Sequence, residues 1–147
     1  MTSCDTNILY AACDRDSPFH AVARQFLGGF AQRDDFCLCE QVLMELYCLL
    51  RNPSVSSPPL GAPEAAQVID AFRSNLRWRI VDVVPGYGIM DEVWRQASGP
   101  AFAYRRIFDI RLAAVLRHHG VTDFATRNAR DFSGVGFIRV WNPLDAS

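Results

Sequence analysis

Residues 1–12, MTSCDTNILYAA, begin the pattern that decides the fold class, because a predicted strand passes directly into a predicted helix at one acidic residue. Residues 3–5 are predicted to form a short strand, and residues 7–12 are an apolar run of helical length. Asp5 lies at the junction. An aspartate here is a good helix N-cap, and a carboxylate at the end of a strand is also suited to chemistry. This stretch alone leaves both interpretations of Asp5 open.

The alternation of strands and helices continues along the chain. Further strands are predicted at residues 36–39, 79–84, 123–126 and 137–141. Helices are predicted from Ser17 onward and at residues 42–50, 63–76, 90–96 and 101–119, with a Pro- and Ser-rich loop at 51–62. This order predicts an α/β fold with a mainly parallel central sheet. Sites in such sheets form beyond the carboxyl ends of the strands, where Asp5 and Asn128 would lie.

Length and composition favour one globular domain over residues 1–147. Half of the 147 residues are hydrophobic and 21% are charged, which suits a sizeable core and excludes a disordered chain. No apolar run is long enough to span a membrane, and the start lacks the regions of a signal peptide. We therefore expect a cytoplasmic protein without a membrane association.

The cysteines and basic residues exclude several site classes. The five cysteines lack the spacing of a zinc site and are interpreted as small buried hydrophobes. All fifteen basic residues are arginine, which excludes a Walker A lysine and a Schiff-base lysine. The net charge of −1 does not indicate nucleic acid, but guanidinium groups match phosphate geometry. The arginines that we expect to contact nucleic acid are Arg105, Arg106, Arg127 and Arg130.

Glu45 is the one charged residue in the run VLMELYCLL (42–50). A helix that is apolar all round is a buried helix. A lone ionised glutamate in it costs several kcal/mol unless it is paired or coordinated. No arginine lies three or four residues away, so Glu45 has no partner on its own helix. The alternative is a glutamate at the rim of the helix that reaches water.

Two later regions carry acidic residues that also have ordinary structural explanations. Asp109 follows Arg105 and Arg106 by four and three residues, so an ion pair on the helix surface is available. Asn128 and Asp131 lie in ATRNARDF (125–132), where they suit a polar turn. Taken together, acidic residues after two strands and on two helices predict a cluster of oxygen ligands. Such a cluster suits Mg²⁺ or Mn²⁺ rather than zinc, and supports phosphodiester hydrolysis.

Four motifs in this order resemble the PIN-domain family, and most closely its VapC-type toxins from bacterial toxin–antitoxin pairs. The motifs are DTN (5–7), VLMEL (42–46), FDIRLAAVL (108–116) and TRNARDF (126–132), and the likeness continues to VWNPL (140–144). The resemblance implies a three-layer α/β/α sandwich. It also implies a Mg²⁺- or Mn²⁺-dependent endoribonuclease that cuts single-stranded RNA, with Asp5, Glu45 and Asp109 as metal ligands.

The resemblance leaves the fourth site position open. The family has Asp or Asn there, and this chain has Asn128, with Asp131 three residues further on. Asn128 offers a carbonyl oxygen but no charge, and Asp131 could coordinate a metal directly, through water, or only stabilise the turn. Thr6 and Thr126 match polar positions that would support the ligands.

The resemblance also implies partners. Toxins of this type dimerise and are held inactive by a small antitoxin that lies across them. Tyr10, Phe19 and Phe26 are candidates for the antitoxin groove, although core packing is an alternative for each. We therefore expect a homodimer, a cognate VapB-type antitoxin and an RNA substrate.

Two other functions are compatible with part of the sequence. A catalytically silent PIN-fold module that binds RNA or protein would explain the asparagine at the fourth position. An aspartyl-phosphate phosphatase also begins with a strand and an aspartate, but it requires a second acid at position 7, which is Asn7, and commonly a lysine. We consider the metal-dependent ribonuclease first and the silent module second.

Overall fold

The computed structural model describes residues 1–145, which form a five-stranded parallel sheet and six α-helices. The strands are β1 (Thr2–Cys4), β2 (Phe36–Cys39), β3 (Arg79–Val81), β4 (Asp123–Ala125) and β5 (Arg139–Trp141). Their order in the sheet is β3-β2-β1-β4-β5, and each neighbouring pair is parallel. The chain moves outward from β1 to β3 and then returns to the other side of β1. The switch point of the topology therefore lies between β1 and β4, where open α/β sheets bind ligands.

The helices form two layers on opposite faces of the sheet. They are α1 (Thr6–Cys13), α2 (His20–Gly28), α3 (Glu40–Arg51), α4 (Ala62–Arg73), α5 (Ile89–Ala97) and α6 (Arg106–His118). Helix α1 packs on α2 and α3, and α3 packs on α4, whereas α5 packs on α6. Because parallel crossovers are right-handed, the reversal of direction after β3 places α5 and α6 on the second face. The predicted α/β/α fold with a parallel sheet is confirmed.

The core follows from this covering of both faces. All residues of β1 and β2 are buried, and β2 (FCLC) is apolar throughout, without the polar alternation of a half-exposed sheet. Phe36 and Phe124 are fully buried in the sheet, and burial of such a side chain contributes about 2–3 kcal/mol. Within residues 1–145, no helix is long and apolar enough to cross a membrane. The predicted domain also includes residues 146–147, which lie outside the described residues.

Several predicted boundaries differ from the structure. The strand predicted at 79–84 ends at Val81, because the side chain of Asp82 accepts the N–H of Val83 at 2.8 Å and turns the chain. The helix predicted from Ser17 begins at His20, since the Ser17 hydroxyl accepts the N–H of Phe19 at 3.1 Å in a local turn. The helix predicted at 101–119 begins only at Arg106. Residues 101–105 form turns and irregular structure, and the strand predicted from residue 137 begins at Arg139.

The prediction that α3 is buried on all sides is wrong. Met44 is 58% exposed and Cys48 is also exposed. The sheet and the neighbouring helices cover only the opposite face of α3, which carries Val42, Leu43 and Leu46. The interpretation of the cysteines as buried hydrophobes therefore holds for Cys4, Cys37 and Cys39, is only partly true for Cys13, and fails for Cys48.

Candidate active site

Asp5 lies immediately beyond the carboxyl end of β1 and also begins α1. Its Oδ1 atom accepts the backbone N–H of Thr6, the first residue of α1, at 2.8 Å, so Asp5 caps the helix at its first N–H instead of the usual second or third. Its Oδ2 atom accepts hydrogen bonds from the Thr126 hydroxyl at 2.7 Å and from the Asn7 amide at 3.1 Å. Burial and the charge of Glu45 raise the pKa of Asp5, while these hydrogen bonds lower it. Asp5 therefore caps α1 and also faces the candidate site, so the two interpretations of this residue are compatible.

Glu45 projects from α3 toward the start of α1. Its Oε2 atom accepts the hydroxyl of Thr6 at 2.8 Å, and its Oε1 atom faces the Gln41 amide at 3.4 Å. Thr6 is only 5% exposed, and its hydroxyl also lies 3.4 Å from the carbonyl of Val42. The sequence showed no partner for Glu45 on its own helix, and its main partner comes from a different helix. The two predicted supporting threonines, Thr6 and Thr126, each donate a hydrogen bond to a candidate ligand.

Asp109 lies in the first turn of α6 and is partly buried. Its pKa is raised to about 6, first by burial and then by the negative charges of Asp5 and Asp131. Glu45 raises it further, whereas Arg106 lowers it. The ion pair that the sequence offered is absent from the described part of the chain, since neither preceding arginine is in salt-bridge distance of Asp109. The negative charges of Asp5, Glu45 and Asp131 thus each raise the pKa of Asp109 at the carboxyl end of the sheet.

A 3₁₀ turn, Ala129–Phe132, follows β4. Asn128 immediately precedes this turn, and Asp131 lies within it. The backbone N–H of Asn128 donates to the Thr126 hydroxyl oxygen at 3.0 Å, so the turn is connected to Asp5 through one side chain. Asn128 and Asp131 are both exposed. Of these two residues, Asp131 alone is charged, and its charge contributes to the raised pKa of Asp109.

The four arginines expected to contact nucleic acid come from the same two segments as these acids. Arg106 donates to the main-chain carbonyl of Asp131 at 3.3 Å. The guanidinium of Arg127 lies 4.5 Å from the centre of the Phe19 ring, and its backbone N–H donates to Asn7 at 3.1 Å. Arg105 and Arg130 are exposed. Cationic groups thus flank the acidic group without neutralising it by direct ion pairs in residues 1–145.

A family model for the PIN domain matches residues 3–138. The chain belongs to the PIN-domain family. This PIN domain is 54% identical to Ribonuclease VapC24 of Mycobacterium tuberculosis over 144 residues, which cover 98% of the chain and 97% of the relative. It is 27% identical to Ribonuclease VapC48 of the same species over 142 residues, 95% of each chain. The predicted VapC-type resemblance is confirmed.

Two solved structures share the fold of this PIN domain. The sarcin–ricin loop cleaving toxin VapC20 of Mycobacterium tuberculosis matches with a TM-score of 0.68 and 19% identity, over 93% of this chain and 96% of that one. FitAcB from Neisseria gonorrhoeae matches with a TM-score of 0.63 and 18% identity, over 99% and 100%. At these identities the likeness shows the fold alone.

Two residues that contact the acids of this PIN domain are not among the candidates that the sequence predicts. Asn7 donates to Asp5 and accepts from the backbone of Arg127, so it connects the ends of β1 and β4. It belongs to the DTN motif, but the local pattern indicates only a helical residue. Gln41 lies one helical turn before Glu45, and that four-residue spacing is the signal that could have identified it.

The side chains of the site suit a divalent cation by their chemistry. Asp5, Glu45 and Asp109 present only oxygen donors, the type that Mg²⁺ and Mn²⁺ prefer. Burial first, and repulsion between the carboxylates second, raise the pKa of Asp5 and of Asp109, and a bound cation would offset both costs. Among residues 1–145, no group of three His, Cys, Asp or Glu side chains has the arrangement of a metal site as it stands.

Proposed function

We propose that this PIN domain is a metal-dependent endoribonuclease toxin, with Asp5, Glu45 and Asp109 as its metal ligands. The observation that carries the proposal is the convergence of the three carboxylates: Thr6, next to Asp5, donates to Glu45, and the Gln41 amide contacts both Glu45 and the Phe108 carbonyl that precedes Asp109. The pKa of Asp109, raised to about 6 by burial and by other carboxylates of the site, supports it. Acidic groups that repel one another in a folded protein are costly, and a functional site is a common reason to keep them together. The VapC ribonucleases, to which the chain is similar along nearly its whole length, support the same reaction class.

The bound cation would supply two kinds of chemistry that these side chains lack. A divalent cation lowers the pKa of water and stabilises negative charge on phosphate oxygens. The protein's own contribution is to hold the carboxylates in place. Thr126 donates to Oδ2 of Asp5 and Thr6 donates to Oε2 of Glu45, so a buried hydroxyl holds one oxygen of each carboxylate. Oδ1 of Asp5 and Oε1 of Glu45 each accept one further contact and keep a free lone pair, and we propose that these lone pairs face the cation.

For the fourth position we propose Asp131 rather than Asn128 as the additional negative charge. Asp131 contributes to the raised pKa of Asp109, so its carboxylate is near enough to act on the site. The Asn128 side chain lies at the edge of the acidic group and adds no charge. Its backbone N–H donates to the Thr126 hydroxyl oxygen. Asp131→Asn should then weaken cleavage more than Asn128→Ala does.

RNA is proposed to bind through the arginines beside the acids. Arg105, Arg106, Arg127 and Arg130 are the candidates, because guanidinium groups bind phosphate with paired hydrogen bonds. Phe19 lies under the guanidinium of Arg127, and the backbone N–H of Arg127 donates to Asn7. These groups would bring the negatively charged backbone to a site whose own charge is negative.

The proposed partners are a second copy of the chain and a VapB-type antitoxin. Of the three aromatic candidates, Tyr10 lines a cavity of about 460 Å³ with Leu50 and Val68, and its hydroxyl is 2.8 Å from that of Ser56. Phe26 instead packs edge to face on other aromatic rings, and Phe19 lies beneath Arg127. Tyr10 is therefore the candidate that we retain for the antitoxin groove. The cytoplasmic location remains a prediction.

The test of the function is cleavage of a generic single-stranded RNA with Mn²⁺, with Mg²⁺ and with EDTA. Asp5→Asn is the matched variant, because asparagine keeps the size of the side chain and can still accept the N-cap bond. Cleavage that requires a divalent cation and is lost in the variant is the expected result. Cation-independent cleavage, or full activity of the variant, would contradict the proposal. A wild-type protein that binds RNA without cutting it would favour the silent PIN-fold module.

A further inference from the structure

Gln41 is a buried polar residue that joins the two helices carrying Glu45 and Asp109. It is only 6% exposed. Its amide nitrogen donates to the main-chain carbonyl of Phe108 in α6 at 2.9 Å and lies 3.4 Å from Oε1 of Glu45 in α3. The Phe108 carbonyl belongs to the peptide bond that precedes Asp109. One amide group thus contacts the backbone of one candidate ligand and the carboxylate of another.

The orientation of this amide is determined by Arg111. The Nη1 atom of Arg111 is 2.8 Å from the Gln41 side-chain oxygen. A guanidinium only donates hydrogen bonds, so the amide atom facing it must be the oxygen. The amide nitrogen must then face Glu45 and the Phe108 carbonyl, both of which only accept when the glutamate is ionised. A flipped amide would place two acceptors against its oxygen and two donors against each other.

Arg111 is in turn held by Asp82, just beyond β3. Its Nη2 atom donates to Oδ1 of Asp82 at 3.0 Å, and the two side chains are 26% and 43% exposed. Asp82 is restrained as well, since it accepts the N–H of Val83 and its carbonyl lies 2.9 Å from Nε2 of His119. A continuous series of contacts therefore runs from the end of β3 through Arg111 and Gln41 to Glu45.

The sequence spacing explains why this series reaches the site. Gln41 and Glu45 are four residues apart, so both lie on the same face of α3. Asp109 and Arg111 are two residues apart on α6, so they point in different directions. Asp109 can face the acidic group while Arg111 reaches behind it to Gln41. A buried amide is tolerated only when it is hydrogen-bonded, and an apolar side chain at position 41 would fill the core without that requirement. Core packing alone therefore does not explain the glutamine.

We propose that Gln41 is a positioning residue, which sets the Glu45 carboxylate relative to Asp109, with Arg111 and Asp82 fixing the orientation of its amide. This inference rests on the proposed function, because it assigns Gln41 a role at the cation site. Gln41 does not reach the substrate, since its side chain is buried beneath the carboxylates. Its loss should therefore alter how tightly the carboxylates hold a cation and how fast the bound RNA is cut, and should leave RNA binding unchanged.

The experiment measures Mn²⁺ binding to the full chain by titration calorimetry and by the electron paramagnetic resonance signal of free Mn²⁺. The variants are Gln41→Met, which keeps the length of the side chain, and Gln96→Met as the matched control. Gln96 also donates to a glutamate four residues away, Glu92, at 2.7 Å, but on α5 outside the site. We expect Gln41→Met to weaken Mn²⁺ binding about 10-fold, the usual size of an effect from a group that supports a metal ligand. Gln96→Met should bind Mn²⁺ as the wild type does.

Arg111→Met provides a second test whose sign separates positioning from simple electrostatics. Removing a positive charge near a cation site strengthens cation binding if the charge acts only by repulsion. If Arg111 acts by orienting Gln41, the variant instead binds Mn²⁺ more weakly. Arg117→Met is the control, because it removes an arginine from the same helix without touching Gln41. Tighter Mn²⁺ binding by Arg111→Met would overturn the proposed role of Arg111.

Kinetics with RNA complete the test. For Gln41→Met, kcat should fall at saturating Mn²⁺ while KM for RNA stays the same, and a structural defect would also appear as a loss in urea unfolding. Unchanged Mn²⁺ affinity and kcat in a folded Gln41→Met would overturn the positioning role and leave the ribonuclease proposal intact. Failure of the wild type to bind Mn²⁺ or to cut RNA would overturn both, and the wild-type measurement alone distinguishes that case.

Discussion

Two buried threonines determine how the carboxylates of the site are presented. Thr126 is fully buried, donates to Asp5 at 2.7 Å and accepts the backbone N–H of Asn128 at 3.0 Å. Thr6 has the corresponding position beside Glu45. The Thr126 hydroxyl donates and accepts at once and so connects Asp5 to the turn after β4, whereas the Thr6 hydroxyl donates from α1 to Glu45 on α3. Substitutions at the threonines should therefore affect stability and activity together.

Thr126→Val should lower both the free energy of unfolding and RNA cleavage, because valine keeps the shape but leaves Asp5 and the Asn128 amide without this partner. A loss of about 1–3 kcal/mol is expected for a hydrogen bond to a charged group in a buried position. Urea unfolding and the cleavage assay would measure the two effects. Thr126→Ser keeps the hydroxyl and is the control. Equal losses in the Val and Ser variants would show that the methyl group, not the hydroxyl, matters.

The ionisation of Asp109 should make stability depend on pH in a defined direction. Its pKa is about 6 in the fold and about 4 in an unfolded chain. Between these values the folded state binds more protons, so the free energy of unfolding falls as the pH rises through this window. Asp109→Asn removes the effect. We expect this variant to be more stable than the wild type at pH 8 and to lose that advantage near pH 4.

Urea unfolding at several pH values tests this prediction for Asp109. An offset between the variant and the wild type that does not change with pH would contradict it. Addition of Mn²⁺ at pH 8 gives an independent comparison. The cation should raise the Tm of the wild type more than that of Asp109→Asn, because it stabilises the ionised carboxylates only where they can bind it.

At the scale of the elements, the start of α1 is attached to the middle of α3. Thr6 is the first residue of α1, and its hydroxyl donates to Glu45, 39 positions later in the chain. Helices α1 and α3 also pack against each other directly. The site thus contributes to holding two helices of the same layer together, although its acidic groups repel one another.

A double-mutant cycle of Thr6→Val and Glu45→Met should reveal this attachment, because methionine has a similar length but no carboxylate to accept the Thr6 hydroxyl. We expect a coupling energy of about 1 kcal/mol, the usual net value of a hydrogen bond. Glu45→Gln alone should change stability little, because glutamine can still accept from Thr6 and the variant removes a repulsive charge next to Asp5. Cleavage should nevertheless be lost. Strictly additive single changes in urea unfolding would mean that the Thr6–Glu45 contact contributes nothing to stability.

The sequence predicted which strands and helices exist more accurately than it predicted the residues at which they begin and end. Periodicity and length identified five strands and six helices because apolar patterning reports which face is buried. It placed the start of α6 five residues too early, since the mostly exposed residues 101–105 are compatible with a helix but turn instead. It also overestimated the burial of α3, because an apolar residue such as Met44 can lie on an exposed face. Local composition does not report which faces tertiary neighbours cover.

At the scale of the whole molecule, charge is distributed unevenly although the net charge is only −1. The carboxyl end of the sheet gathers Asp5, Asp109 and Asp131, with arginines on the adjacent segments. A nearly neutral chain has no long-range attraction for nucleic acid. Binding of RNA should therefore depend on a few local arginines and on salt.

Arg127→Ala should weaken RNA binding and reduce its dependence on salt. Removing one group that neutralises a phosphate of a single strand lowers the slope of log K against log salt by about 0.7. Fluorescence anisotropy with a labelled RNA, using the Asp5→Asn background to prevent cleavage, would measure that slope. Arg95→Ala, which removes the same charge from α5 where Arg95 pairs with Glu92, is the control. Equal slopes for the two variants would exclude a phosphate contact by Arg127.

The sequence by itself determined the fold class, the family and the set of candidate acids. These follow from local properties, namely apolar periodicity, the order of strands and helices, and short motifs such as DTN and TRNARDF. Each acid, however, had an ordinary explanation when taken alone, as a cap, an ion pair or a turn residue.

Only the tertiary structure decided between those explanations and supplied the partners. It showed that Asp5 caps α1 and faces Thr126 at the same time, that Asp109 forms no ion pair with the arginines before it in residues 1–145, and that Gln41 reaches α6. The physical reason is that these contacts join residues far apart in the chain. Hydrogen bonding, burial and the pKa of a carboxylate depend on what the fold brings within a few ångströms, and no local pattern records that.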